Sequence, residues 1–240
     1  MKDIGQPSPT RLNDKPAYPS KLLSEAVEAI GTLPGVGSRS ALRLALFLLS
    51  QPTENVTHFT ESIRKMREEV RRCRQCNMLT DEEECLICRD RTRSASTLCV
   101  VESIRDVMSI EATGRYHGRY HVLGGIISPI AGIGPADLAI PLLLDRIRRY
   151  FSEESALEGA PKETLEIIFA LSGDVEGETT AFYLYRQIES CLSQLPDTPS
   201  SPVKITTLAR GLGFGADLEY ADSLTLGRSI DCRQEFKPKA

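Results

Sequence analysis

Four of the seven cysteines stand in two C-x2-C pairs, Cys73 with Cys76 and Cys85 with Cys88, with eight residues between the pairs. Each pair can form a turn that presents two thiolates to one ion. Two such turns make the tetrahedral four-sulfur site that zinc accepts in closed structural centres. All four positions are then filled by protein, which leaves no place for a reactive water, so the expected role is structural. The segment Asn77 to Glu84 has little that is apolar to bury, and metal binding would supply its folding energy. Disulfides and an iron–sulfur cluster are the alternatives for these thiols. A reducing compartment favours a metal over disulfides. Cys99, Cys191 and Cys232 stand alone and read as small core residues.

A second group of residues is built for anions. In LPGVGSRSALRLA, Gly35 and Gly37 permit backbone angles that other residues disfavour. Their amides can point outward with those of the helix that follows, and a helix N-terminus carries a partial positive charge. Arg39 and Arg43 lie four residues apart, on one face, which the pattern sets opposite Leu42, Leu46 and Leu49. Two guanidinium groups beside a nest of N–H donors form a clamp for a phosphate backbone, holding it without reading sequence. The plainer reading is a helical hairpin with solvated arginines. A third group is acidic: Glu102 after one apolar run, and Asp174, Glu176 and Glu178 after another. If those runs are neighbouring strands, the carboxylates meet at a sheet's carboxyl end, where magnesium can be held against phosphate. The alternative is a solvated acidic turn favouring the start of a helix.

The elements that must position these groups follow from periodicity. Leu22, Leu23, Ala26, Val27 and Ile30 mark a helix with Ser20 as N-cap and Gly31 as stop. A tight hairpin, Leu33 to Gly37, leads to a helix from Ser38 to Ser50 with Leu42, Ala45, Leu46 and Leu49 as its apolar stripe. A third helix is expected over Thr60 to Arg72, burying Ile63, Met66 and Val70. Beyond the cysteines the pattern alternates. Strands are expected at Leu98–Val101, Tyr120–Leu123, Leu165–Leu171 and Val203–Leu208. Helices are expected from Ser103 to Thr113, Leu138 to Tyr150 and Gly177 to Leu195. Such alternation implies an α/β domain with a mostly parallel sheet. Ser152–Lys162 and Pro196–Pro202 read as surface insertions.

The chain of 240 residues is 41% hydrophobic and 26% charged, which excludes a mostly disordered protein. No apolar run is long enough to span a membrane, and the start MKDIGQPSPT lacks the apolar core of a secretory leader, so a cytoplasmic protein is expected. The net charge of −4 argues against whole-surface cationic binding of nucleic acid but leaves room for a local patch. Residues 1–93 carry 15 basic and 13 acidic side chains, and the remainder 14 and 20, so any such patch belongs to the first part.

The order of these pieces resembles the RecR family of bacterial recombination mediators. A helix–hairpin–helix is followed by C-x2-C-x8-C-x2-C, then by CVVES opening an α/β domain with a VEGET loop. ISPIAGIGPADL and ITTLARGLGFGADLEYADSLTLGRSI resemble that family's loop and C-terminal segments. Pro7, Pro9, Pro16 and Pro19 among polar, aperiodic residues read as a disordered tail over 1–19. The resemblance implies a DNA-binding helix–hairpin–helix region over 20–72 and a four-cysteine zinc finger over 73–95. A Toprim domain over 96–214 and a C-terminal segment over 215–240 complete the partition. It also implies a ring-like homotetramer that clamps DNA independently of sequence. Such a protein acts in the RecFOR pathway of DNA repair, after DNA damage, with RecO and in many bacteria RecF. The task is to load RecA onto single-stranded DNA, without enzymatic activity of its own. Gly35, Gly37, Arg39 and Arg43 match the DNA-binding motif. Cys73, Cys76, Cys85 and Cys88 match the zinc ligands. Glu102, Asp174 and Glu176 match the Toprim acids, as a residual magnesium site or a partner contact. Catalytic Toprim proteins carry an Asp-x-Asp pair, and here Ser172 takes the first place. The competing expectation is a magnesium-dependent phosphoryl-transfer enzyme, nuclease or primase-like, resting on the same three acids.

Overall fold

The computed structural model describes residues 18–151, 164–195, 203–209, 211–212 and 217–231. The chain divides into two compact units between Glu68 and Glu69.

The first unit is helical. Helix α1, Lys21–Gly31, starts where the Ser20 hydroxyl accepts the Leu23 N–H at 3.4 Å. Helix α2, Ser38–Ser50, packs on α1 through Ala41 and Ala45, which with Val27 form the buried centre. Small side chains at the contact let the two helices approach closely. Of the expected stripe, Ala45 is buried and Leu42 half-buried, but Leu46 is 46% exposed and Leu49 74% exposed, and Ala41 takes their place. Tyr18 packs against the same cluster, so the expected tail over 1–19 reaches too far at its end; residues 1–17 lie outside the described residues.

Helix α3 is Thr53–Glu69. It starts seven residues before the expected Thr60, because the Pro52 carbonyl accepts from Asn55 and Val56 and opens the first turn. The Thr60 hydroxyl instead bonds back to the Val56 carbonyl at 3.0 Å, a mid-helix arrangement. The helix ends before Arg71–Arg72, strand β1, which pairs antiparallel with β2, Leu79–Thr80. No residue of α3 is buried; Ile63 and Met66, expected in a core, are exposed.

The second unit carries a four-stranded parallel sheet. Its strands are β3 (Thr97–Val101), β4 (Arg119–Val122), β5 (Glu166–Ala170) and β6 (Lys204–Thr207), in the order β4-β3-β5-β6. The register sets Val101 beside Val122 on one side and Ala170 on the other. Helix α4, Leu86–Arg89, is a single turn within the cysteine segment. Helices α6, Ile140–Phe151, and α7, Val175–Ser193, cover one face of the sheet through Leu143, Ile147, Leu184 and Ile188 on Leu98, Val100 and Ile167. Helix α5, Ile104–Glu111, covers the other through Val107 on Cys99, Val101 and Val122. Met78 and Ile87 from the cysteine segment join that second layer. The α/β class with a helical first part and a parallel sheet is therefore observed. Each expected strand is present within about one residue. The two expected insertions fall outside the described residues.

The strand order reverses direction at β3. From β3 the chain crosses to β4 on one side and later to β5 on the other. Ligands of open α/β sheets gather outside the carboxyl ends of strands at such a reversal. Glu102 follows β3 there, and Asp174 and Glu176 follow β5.

Candidate nucleic-acid interface and metal centre

The corner between α1 and α2 is a tight turn in which the Val36 N–H donates to the Leu33 carbonyl at 3.1 Å. Gly35 sits at φ +81°, a left-handed backbone that glycine adopts without strain. Gly37 does not share this requirement. Its φ of −80° and ψ of 167° are extended values open to any residue, and a Cβ built there meets nothing within 4 Å. The expectation that both glycines serve the backbone holds for Gly35 alone. The first backbone bond of α2 runs from Ala41 N–H to the Gly37 carbonyl at 2.9 Å. The amides of Ser38, Arg39 and Ser40 therefore have no intrahelical acceptor, no side chain caps them, and no acid lies in the first turn. Arg39 and Arg43 are exposed, and neither joins an ion pair among the described residues. At about 100° per residue they lie on the side away from Ala41 and Ala45. They flank the exposed Leu46 and do not oppose it, as the expected stripe required.

The cysteines of the second unit come together. The Sγ atoms of Cys73, Cys76, Cys85 and Cys88 all lie within 4.8 Å of one another, and all four residues are buried. This is the only such group of His, Cys, Asp or Glu among the described residues. A Zn–S bond of ~2.3 Å sets tetrahedral sulfurs about 3.8 Å apart, so the donor set fits zinc. The backbone fixes both turns: in the first, Cys73 N–H donates to Met78 O at 2.7 Å and Asn77 N–H to Cys73 O at 3.0 Å; in the second, Cys88 N–H donates to Cys85 O at 3.1 Å. Cys85 N–H donates to the Cys73 sulfur at 3.3 Å, as amides do to metal-bound thiolates. The sulfurs push one another in opposite directions. Contact between the sulfurs drives the Cys76 thiol up and draws Cys85 down; a divalent cation would hold both as thiolates.

Sequence reasoning missed how this centre is moored. Asn77 sits at φ +62° and its side-chain amide donates to Val122 O at 2.8 Å, while Val122 N–H donates to Cys76 O at 2.8 Å. The one signal in the sequence was the residue type, since asparagine is enriched in left-handed turns.

The three acids are placed at the crevice but do not pool their oxygens. A Glu102 oxygen accepts the Ser172 N–H. The Ser172 hydroxyl donates to Asp174 Oδ1 at 2.8 Å, and that same oxygen accepts Gly177 N–H at 2.7 Å as the N-cap of α7. Glu176 accepts from the Ser128 hydroxyl at 2.6 Å, which ties α7 to the 128–135 loop. Ser172 thus stands between Glu102 and Asp174 and stabilises both with hydrogen-bond donors. As arranged, the three carboxylates do not fit a shared magnesium site. Gly177 is required by space: a Cβ there would lie 2.3 Å from the Ser172 hydroxyl oxygen and 2.4 Å from its carbonyl. In the sequence Ser128 stands out only as part of a Gly/Pro-rich loop. Nothing in its spacing marks it as the partner of Glu176, 48 residues away.

Four family models match in chain order. They are the RecR helix-hairpin-helix over 23–67, the RecR four-cysteine zinc finger domain over 70–90, the Toprim domain over 96–195 and the RecR C-terminal segment over 211–234. Among similar curated proteins is the Recombination protein RecR of Porphyromonas gingivalis strain ATCC 33277, 48% identical over 219 residues, covering 91% of this chain and 95% of that protein. The Recombination protein RecR of Bacteroides thetaiotaomicron is 47% identical, with 91% and 96% covered. That of Flavobacterium johnsoniae is 44% identical over 220 residues, with 92% and 96% covered.

Proposed function

The chain belongs to the RecR family of recombination proteins, and on that premise we propose that it is a non-enzymatic mediator that grips the DNA backbone through the α1–α2 corner. The observation that carries this is the uncapped start of α2. Three amides without helical acceptors, a left-handed Gly35 and two unpaired arginines converge there, with no acid in the first turn. A helix start with free N–H groups and guanidinium neighbours suits phosphate and is blind to base identity. In this reading the mediator works with RecO, and with RecF where present, to load RecA onto single-stranded DNA in the cytoplasm.

Zinc, held by Cys73, Cys76, Cys85 and Cys88, supplies folding energy and no reaction step. The described residues contain no helix long and apolar enough to cross a membrane. Self-association into a homotetramer gives the exposed apolar side chains of the first unit a purpose. Phe47 and Leu49 of α2, and Phe59, Ile63 and Met66 of α3, are between 48% and 74% exposed. Glu102, Asp174 and Glu176 serve in this reading as part of a partner-facing acidic crevice, with Val175 exposed among them.

Binding of purified, zinc-quantified protein to labelled DNA is measured by anisotropy across a salt series. The expected affinity falls steeply and linearly with log salt and changes little with sequence. A shallow salt slope, or Mg²⁺-dependent nicking or primer synthesis abolished by Asp174→Asn, would replace the mediator reading with the enzymatic one.

A further inference from the structure

Two guanidinium groups of the second unit are half-buried and yet join no ion pair among the described residues. Arg146 projects from α6 and Arg119 opens β4. The Arg119 Nε is buried with no hydrogen-bond partner. Arg146 donates from Nη1 to the Tyr120 carbonyl at 2.7 Å. Charges drawn partly out of water are ordinarily paired, so these half-buried cations call for a nearby anion.

The register identifies where that anion lies. Among the described residues β4 is an edge strand whose only sheet neighbour is β3. Leu123 N–H bonds inward to Val101 O, so the alternate residues Tyr120 and Val122 turn their backbone groups outward. Each outward group with a described bond is met from the same side. Val122 N–H goes to Cys76 O, Val122 O takes the Asn77 amide, and Tyr120 O takes Arg146. Arg146 and the cysteine turns therefore share one edge. Burial pushes the Arg146 pKa down, and the nearby sulfurs of Cys88, Cys76 and Cys73 hold it up; Arg119 adds repulsion.

Charge explains the crowding. Four thiolates around one divalent cation leave a net charge of about −2. Three of the cysteine segment's own arginines are already engaged. Arg74 pairs with Glu83 and Glu84, Arg89 with Glu82, and Arg93 with Asp90 and Glu111. We propose that Arg146, reaching the shared edge from α6, is a counter-ion of the four-cysteine metal centre. Zinc retention and the covering of the β4 edge are then one linked property. This rests on the site being a metal-bound tetrathiolate.

The test uses full-length protein. Metal content of the wild type comes first; absence of zinc would remove the tetrathiolate reading itself. Zinc transfer to a colorimetric chelator is then timed for Arg146→Gln and Arg146→Lys. Glutamine keeps an N–H for the Tyr120 carbonyl but no charge, and it is expected to lower zinc affinity roughly 10–100-fold. Lysine keeps the charge and is expected to stay within a few-fold of wild type. Cobalt substitution reports independently, because the thiolate-to-metal absorption band shows whether all four sulfurs still ligate. A folded Arg146→Gln protein that surrenders zinc at the wild-type rate overturns the proposal. Should that variant not fold, Arg146→Lys decides alone: retention near wild type supports the charge, and a loss as large as that expected for glutamine rejects it.

Discussion

Two helices in this protein start after sharp loops, and their first turns are opposites. The start of α2 is bare: Gly37 contributes no side-chain acceptor, no acid follows, and Arg39 and Arg43 add positive charge. The start of α7 is saturated: Asp174 caps it, Glu176 and Glu178 lie in the first turn, and Ser172 bonds the capping carboxylate. The same backbone dipole is present in both. At α7 the chain neutralises it internally, so that terminus serves the fold. At α2 the chain leaves it unanswered and strengthens it, at some expense in stability, so that terminus suits an external anion. The contrast also separates two kinds of glycine. Gly177 is dictated by the 2.3 Å that a Cβ would leave to Ser172, whereas Gly37 is dictated by no atom of the described residues.

The contrast breaks most visibly at the arginines. Replacing both Arg39 and Arg43 with Ala is expected to lower DNA affinity by roughly tenfold or more per charge removed. The salt slope should fall by about one for each lost phosphate contact. Thermal stability should stay near wild type, since both side chains are exposed. Unchanged affinity and slope would move the DNA grip elsewhere. Next in size, Gly177→Ala forces apart α7 and the Ser172 loop and is expected to destabilise the second unit by about 1–3 kcal/mol in a denaturant melt. DNA affinity at low denaturant should not change. A neutral Gly177→Ala would mean that the loop yields freely and that the packing around Glu102 and Asp174 is loose. Asp174→Ala removes a cap from α7 and is expected to cost about 1 kcal/mol, again without effect on DNA. A rise in DNA affinity from this change would show that the acids repel the nucleic acid and would extend the interface to the crevice.

Legibility from sequence followed the strength of the local signal. Helix α2 could be read to both ends because Gly37 and Gln51–Pro52 bracket a strongly periodic run. The four cysteines declared their partnership by spacing alone, and the strands declared theirs by apolar runs. The start of α3 was hidden because Thr53 to His58 is nearly all polar and carries no helical period. The buried face of α2 was read correctly at Ala45 but shifted toward the leucines, because Ala41 weighs little beside them, although closeness of approach to α1 selects the small residues. The acids could be placed at strand ends, but not their engagement with Ser172 and Ser128. Those bonds depend on which strands become neighbours, and on contacts 48 to 70 residues apart along the chain.

The smallest expected effect discriminates best. Gly37→Ala puts a methyl group where no protein atom lies within 4 Å, on a backbone any residue adopts. Alanine is a poorer N-cap than glycine, so stability should fall by less than about 1 kcal/mol. The methyl group would nonetheless stand beside the amides of Ser38 to Ser40, where a phosphate must come close to accept from them. Affinity for DNA should therefore drop several-fold while the melt barely moves, which no role within the monomer's own packing would produce. If Gly37→Ala binds DNA as the parent does, the arginines act as a diffuse charge and the corner is not a seat for phosphate. If stability falls instead, Gly37 belongs with Gly177 as a packing glycine, and the distinction between the two helix starts fails at its sharpest point.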